Sequence, residues 1–563
     1  MSDNLNNDFT TSVSGVDVAS GRKTGKKVAL ISGIAVVALG LGGIAAYNFS
    51  GLVKNQVNLK VMKPAKYYAW VNEENAQALA KDAKEKYAQS LDRIKGGQTS
   101  DISLKYVAND TVKDLALQSI LGTDYQSAQD DESKMLIDAV NNINDISLDY
   151  KTSVKGSNVY ANVSALLNSD TLADLNMAVD VSSLDYFFRV PQLTEQWLGV
   201  ALNDSILQEA DEETTAVLKS YQEFLANPES FLSPDQLEDL IIRYTGIWNE
   251  NVKDIEVESK EDVNICDISV NYTVMTAELN RDVLNSLAES YVNELKNDNT
   301  IKGILIDKTS AISEDEYNSA LDEVLDAVKN SGLDEDYTIK VQTYVDSEGA
   351  IKGGRIKAPM AGEVFFAYGE NGNDVRCEFR VAEQDNEIAS VKEVLQKDGN
   401  KYSGNIEATV NENGENTRVT VDVENMEIVN EDMGYLNGSY IVNVPDVDPI
   451  KIEFSSDGNS QDIKYNLNFD GTDYGSLILS LSVQDGASAE VPDKNSAYMI
   501  DVENPDFDVN SYIPEENMEK FVTDLLVKVG ISEELSKEAS KALTQEIYSE
   551  VENEIENIED YVY

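Results

Sequence analysis

Tyr402–Val423 reads YSGNIEATVNENGENTRVTVDV. Two runs within it, Tyr402 to Val410 and Arg418 to Val423, alternate apolar with polar side chains, the period of a strand whose two faces meet different surroundings. Asn413-Gly414 lies between them, and an Asn-Gly pair accepts the positive φ values of the tight turn that joins antiparallel neighbours. The unit is a hairpin, and it repeats. The same alternation covers Ile339 to Val345, Ile351 to Ile356, Val364 to Tyr368, Val375 to Val381, Tyr440 to Val444, Ile450 to Phe454, Ile463 to Phe469 and Leu477 to Val483. Asn371-Gly372, Asp457-Gly458 and Asp470-Gly471 punctuate it, so an up-and-down antiparallel meander is expected from Tyr337 to about Val483.

A shorter meander of four strands precedes it, beginning at Asp145 and ending at Val190, where Pro191 closes the last strand. Helical spacing marks Pro64 to about Ile94, with a break near Asn72, then Thr111 to Leu121, Lys134 to Asn142, Glu212 to Ala226, Pro234 to Trp248 and Asp282 to Asn297. Ser313-Glu-Asp-Glu316 is a capping box for a further helix, and Pro514 to Val529 and Glu533 to about Tyr561 are helical again. Gln56 to Met62 reads as a short strand and Val263 to Leu279 as one long strand. The fold class expected is α+β: a single N-terminal transmembrane helix, then long antiparallel β-meanders forming a curved sheet or half-barrel covered by helices. The organisation expected is a disordered tail at 1–27, an anchor at 28–47, a helix plus first β-meander lobe at 48–312, a second meander lobe at 313–500, and acidic C-terminal helices at 501–563.

The anchor is residues 28–47, VALISGIAVVALGLGGIAAY, a run without one charge and long enough as a helix to cross about 30 Å of hydrocarbon. Arg22, Lys23, Lys26 and Lys27 stand before it and the next basic residue is Lys54. That asymmetry puts the N-terminus in the cytoplasm and the rest outside, as a single-pass protein of the cell membrane. A cleaved signal peptide is the competing reading, since Gly43-Ile44-Ala45 supplies the small residues of a cleavage site.

With 45 basic and 102 acidic residues the formal charge is −57. Nucleic acid is excluded as a partner, because a phosphate backbone needs clustered Lys and Arg. Divalent cations are expected to gather only non-specifically. The chain has no histidine. Ser-His-Asp and Cys-His catalysis and His-ligated zinc go with it, and no cofactor site is expected. Asp446-Val447-Asp448 and Asp470-Gly471-Thr472-Asp473 are acidic turns that do not extend into a calcium loop. Gly486-Ala487-Ser488-Ala489 begins like a nucleophile elbow, but Glu490 replaces the second glycine. A glycosidase working through two carboxyl groups stays open, with no pair nominated by the sequence.

Cys266 and Cys377 are the two cysteines, each in an alternating run with apolar same-face neighbours. They read as one disulfide or as two small buried side chains. Tyr186, Phe187 and Phe188 form the densest aromatic cluster, which is either core or the wall of an apolar ligand site. The anchor, the Pro64-Ala65-Lys66-Tyr67-Tyr68 helix start and the hairpin Asp346-Ser-Glu-Gly349-Ala-Ile-Lys-Gly-Gly354-Arg355-Ile356 resemble the N-terminally anchored extracytoplasmic proteins of Gram-positive bacteria. The order of elements is more distantly similar to half-barrel lipoprotein-carrier folds, and that resemblance implies acyl chains held between sheet and helices. The function expected is a non-enzymatic, membrane-anchored binding protein of the envelope, with an apolar or lipid ligand or another envelope protein as partner. A cell-wall carbohydrate hydrolase and a structural spacer or assembly subunit are the alternatives.

Overall fold

The computed structural model describes residues 52–562 apart from 202–218, 221, 225–226, 309–311, 333, 335–336, 360, 384–385, 413–414, 446, 487 and 501–511. The described helices of ten residues or more are α1 (Leu52–Val61), α2 (Pro64–Gly96), α3 (Asp110–Leu121), α4 (Asp131–Asn142), α5 (Pro234–Asn251), α6 (Arg281–Asn297), α7 (Glu314–Lys329), α8 (Glu515–Lys528) and α9 (Glu533–Val562). The strands of the first meander are β1 (Gln98–Val107), β2 (Asp145–Lys155), β3 (Asn158–Leu167), β4 (Asp170–Asp180), β5 (Asp185–Arg189) and β6 (Leu198–Ala201). Those of the second are β7 (Ile255–Ile265), β8 (Ile268–Asn280), β9 (Thr338–Val345), β10 (Ile351–Ala358), β11 (Gly362–Asn371), β12 (Asp374–Glu383), β13 (Asn386–Asp398), β14 (Lys401–Glu412), β15 (Glu415–Asn430), β16 (Tyr435–Asn443), β17 (Ile450–Ser456), β18 (Ser460–Phe469) and β19 (Thr472–Asp485), with a short β20 (Tyr498–Ile500) after them.

All twenty strands join one sheet. From β7 each strand pairs with the next in sequence through to β19, which then pairs antiparallel with β1, Gln98 opposite Asp485 and Leu104 opposite Leu479. The ladder continues through β2 to β6, and β20 adds beside β6, the one parallel pair among the described residues. The chain thus starts in the interior of the sheet, works out to one side, crosses to the far edge and returns. β7 and β20 are the edges, and they do not pair with each other. The β7 edge carries Glu256, Glu258, Lys260, Glu261 and Asp262, charges that discourage further strand addition.

This arrangement corrects the expected fold. The strands form one open sheet, not a half-barrel, and the helices do not cover it throughout. Among the described residues no helix is long and apolar enough to cross a membrane. Residues 1–27 and 28–47 lie outside the described residues, as do Asn413-Gly414 and most of Glu212 to Ala226.

Helices cover the apolar face only toward the ends of the ladder. Met275, Ala277 and Leu279 on β8, Ile339 and Val341 on β9 and Ile356 on β10 are buried under Tyr67, Tyr68 and Val71 of α2, Trp248 of α5 and Leu287 of α6. Trp248 Nε1 donates to the Tyr68 hydroxyl at 2.9 Å, which satisfies both polar tips inside that core. At the other end Leu193 packs with Met518 and Val522 of α8. Between them, on β1 and β2, Ile102, Leu104, Ile146, Leu148 and Tyr150 are exposed, Leu148 to 50%. The opposite face there is the sheltered one: Ser147, Ser153 and Asn176 are each 5% exposed. Its polar side chains satisfy one another, Ser103 donating to Asp149 at 2.5 Å and Asn162 to Asn176 at 2.7 Å.

Four local readings change. Gln56 to Val61 belongs to helix α1, with Met62 just past its end, because Val57 and Val61 are four apart, a spacing that a strand and a helix share over so short a run. α2 runs without a break at Asn72, whose amide donates to Asn249 on α5 at 2.9 Å. The expected strand Val263 to Leu279 is a hairpin, turned at Cys266 and Asp267 with φ of 43° and 69°, the left-handed pair of a tight turn built without glycine. β13 was missing from the sequence reading, since Ile388, Val391 and Leu395 are spaced as on a helix and Lys and Glu between them have low strand preference.

Candidate functional site

The β7–β8 hairpin divides two cavities. Its bend comes from a bulge: pairing passes from Glu258 with Val274 to Glu261 with Tyr272, so that Ser259 and Lys260 together oppose Thr273, one residue in excess, and Lys260 takes φ of 66°. Past this bulge the tip curls over the sheet, where Val263 and Ile265 bury against Tyr344, Phe365 and Ala367.

The larger cavity, about 760 Å³, lies between the helices and the hairpin. Gln56, Leu59, Lys60, Met62, Pro64 and Tyr67 line it from α1 and the start of α2, and Val257, Ser259, Lys260, Asn271, Tyr272 and Thr273 from β7 and β8. Asn55 fixes this wall. Its Nδ2 donates to the carbonyls of Asp346 and Ser347 at 3.2 Å each, while its Oδ1 accepts from the Tyr67 hydroxyl at 2.7 Å. About two helical turns beyond Tyr67, Asn75 donates to the Gly349 carbonyl at 2.9 Å and accepts from the Ile351 N–H at 3.2 Å. The helix start at Pro64 and the hairpin at Asp346, two of the three stretches that carry the sequence resemblance, therefore meet in space and brace the cavity together. Gly349 sits at φ of 98° beside the Asn55 side chain, and that backbone conformation is what the turn needs glycine for. Burial pushes the Tyr67 phenol up to about 12 and raises that of Tyr272, so both stay neutral hydrogen-bond donors at physiological pH.

The smaller cavity, about 480 Å³, lies under the hairpin tip on the other face of the sheet. Arg355, Arg380 and Lys392 form its floor, and Glu258, Glu261, Asp262 and Asp267 belong to the overhanging hairpin. Arg380 holds Glu378 at 2.9 Å and Glu363 at 3.1 Å, and Arg355 and Arg380 both stand over the Phe365 ring. The floor cations thus have carboxylate partners within the sheet.

Both cysteines border this region as free thiols. The Cys266 N–H donates to Glu378 Oε2 at 2.9 Å and its thiol meets the Cys377 carbonyl at 3.5 Å. Neighbours in a strand face opposite ways, so the Cys377 side chain lies on the far face of β12 from Glu378. Burial, then the nearby Glu378, pushes the Cys266 thiol up to about 12, and burial with Glu393 pushes Cys377 to about 11.

The aromatic cluster sits elsewhere. Phe187 is buried, Phe188 is 36% exposed on the same strand, β5, and with Tyr186 they line neither cavity. Of the two acidic turns, Asp448 accepts from the Gly471 N–H at 2.9 Å, which joins them, while Asp446 lies outside the described residues. Among the described residues no cluster of three or more metal-ligating side chains occurs. Nothing in the sequence pattern marks Asn55, Lys60, Lys260 or Thr273, because α1 is short enough to share the alternation of a strand and the bulge at Lys260 carries no glycine.

No protein-family model matches the chain, and no curated protein matches it in sequence. A chain from the solved structure titled "The complex structure of Pseudomonas aeruginosa MucA/MucB" aligns over 72% of this chain and 100% of its own length, at 7% identity and a TM-score of 0.08. A likeness of that size carries no argument about fold or function.

Proposed function

We propose that the protein is a non-enzymatic binding protein of the cell envelope, which holds an apolar ligand in the cavity between α1–α2 and the β7–β8 hairpin. The observation that carries this reading is the cavity itself: about 760 Å³, inside the range of roughly 300–1,000 Å³ usual for small-molecule sites, with Leu59, Met62, Val257 and Tyr272 offering apolar surface beside a few fixed polar groups. Its helical wall begins at Asn55, a few residues after the apolar segment 28–47, so the site belongs at the membrane-proximal end of the chain. The basic residues Arg22 to Lys27 before that segment support an extracytoplasmic address.

The test is a saturation titration of the purified chain with N-phenyl-1-naphthylamine, an apolar dye that brightens on leaving water. One saturable site is expected, and Leu59→Asp and Met62→Asp should weaken it at least tenfold, since each sets a charge into the apolar wall. Dye binding that does not saturate, or that ignores both substitutions while circular dichroism is unchanged, refutes the reading. Externally added protease on opened cells should digest everything after the apolar segment, and full protection would refute the address.

A further inference from the structure

We infer that the ligand of the larger cavity is an amphiphile with an anionic head, a single acyl chain ending in a carboxylate or a phosphate, with Lys60 and Lys260 at the head. This rests on the proposed apolar site and adds the chemistry of its mouth.

Charge distribution is the first ground. The chain holds 102 acidic and 45 basic residues, yet among the described residues that line this cavity there is no Asp or Glu and there are two lysines. With acids making up close to a fifth of the chain, a lining of this size drawn at random would include two or three of them. The cavity under the hairpin tip follows the general composition, with five acidic side chains in its lining. The acid-free lining is thus particular to the site that also holds the apolar surface.

Partnering is the second. Many of the basic side chains described for this protein are tied to carboxylates: Lys84 to Asp235 and Glu238, Arg243 to Asp239, Glu294 and Asp298, Arg380 to Glu363 and Glu378. Lys60 and Lys260 have no ion pair among the described residues, in a protein with a surplus of carboxylates to offer. Their positions are set by different elements, Lys60 by α1 and Lys260 by the bulge in β7, and the two converge on one mouth. Lysine stems lie along apolar surface while the ammonium stays in water, the placement that suits a head at the mouth and a chain within. Ser259 and Ser347, exposed in the same lining, add hydroxyl donors.

The experiment is displacement of N-phenyl-1-naphthylamine from the full chain by four compounds of equal chain length: a fatty acid, a lysophosphatidic acid, a monoacylglycerol and a lysophosphatidylcholine. At least one of the two anionic compounds should displace the dye at about tenfold lower concentration than the monoacylglycerol, the margin of a charge-assisted contact, and the advantage should shrink as salt is added. Which of the two is preferred identifies the head as carboxylate or phosphate. In the Lys60→Gln, Lys260→Gln double variant the advantage of the anionic compounds over monoacylglycerol should fall to near unity. Both lysines are exposed and unpaired, so the variant keeps its fold, as its thermal transition will report. Equal displacement by charged and neutral compounds in the natural protein, or an anionic preference that survives the double substitution, overturns the assignment of the head and leaves the apolar site standing. Absence of dye binding altogether refutes the apolar site instead.

Discussion

The Tyr67 hydroxyl donates to Asn55 Oδ1 at 2.7 Å, and this buried bond fastens α1 to α2 across the break at Met62 and Lys63. Because Asn55 also holds the Asp346 turn, a single side chain links both helices to the sheet. Tyr67→Phe removes the donor and leaves the amide oxygen of Asn55, a residue 2% exposed, unsatisfied. The expected loss is about 1–3 kcal/mol in urea denaturation, with faster amide exchange confined to α1. Unchanged α1 exchange would show that the bond does not hold the helix down.

Stability should fall in alkali over a defined window. Burial raises the phenols of Tyr67 and Tyr344 to about 12 from an ordinary 10.0, and raises Tyr68 as well. A group whose folded pKa is raised binds its proton more tightly when folded, so its contribution is complete below pH 10 and lost as pH climbs toward 12. A denaturation series from pH 8 to 12 should be flat to about 10 and then decline, and the decline should coincide with tyrosinate absorbance near 295 nm. A loss of stability between pH 8 and 9.5 would contradict this assignment.

Cys266 and Cys377 should resist alkylation in the folded protein. With thiol pKa values near 12 and 11, almost no thiolate exists at pH 8, so iodoacetamide should label both far more slowly than free cysteine and at ordinary rate after unfolding. Unfolded protein that takes up label only after reduction would instead show that the two are joined.

Two glycine substitutions should act in opposite directions. A Cβ on Gly353 would lie 2.3 Å from the Phe366 carbonyl oxygen and 2.7 Å from Ala367 Cα, so Gly353→Ala must push β10 and β11 apart at a cost of about 1–3 kcal/mol. Gly246 lies inside α5 with nothing within 4 Å, and Gly246→Ala should gain about 0.5–1 kcal/mol through helix preference alone. Thermal melts of the pair read both signs at once.

Periodicity made most strands legible, because a sheet with one apolar and one polar face leaves a strict alternation whether or not the apolar face is covered, as in Val375 to Val381, where Phe379 is exposed, and Leu477 to Val483. Capping chemistry did the same for α7, whose box at Ser313 and Glu316 is present in the structure. What escaped was anything decided by partners distant in sequence. Cys266-Asp267 turns without glycine because Glu378, on β12, binds the Cys266 N–H. The pairing of β19 with β1 has no local signal, and without it the two meanders read as separate curved units. The expectation of helices over every apolar face failed for a like reason: alternation reports which side chains share a face, and nothing in it reports whether that face is covered. The cavity stayed hidden because its walls, α1 and the bulge at Lys260, were the two places where local pattern gave the wrong element or none.

The seam between β1 and β19 also sets a clock. Val107 ends β1 and Thr472 begins β19, so at synthesis rates of 5–20 residues per second roughly 20–70 s separate the first strand from the neighbour that completes it. Over that interval one side of β1 offers a full row of unsatisfied backbone groups beside exposed Ile102 and Leu104, a template for any passing strand. Each newly made chain must be shielded there until its own later residues arrive, and the demand for that shielding grows with every slowing of translation.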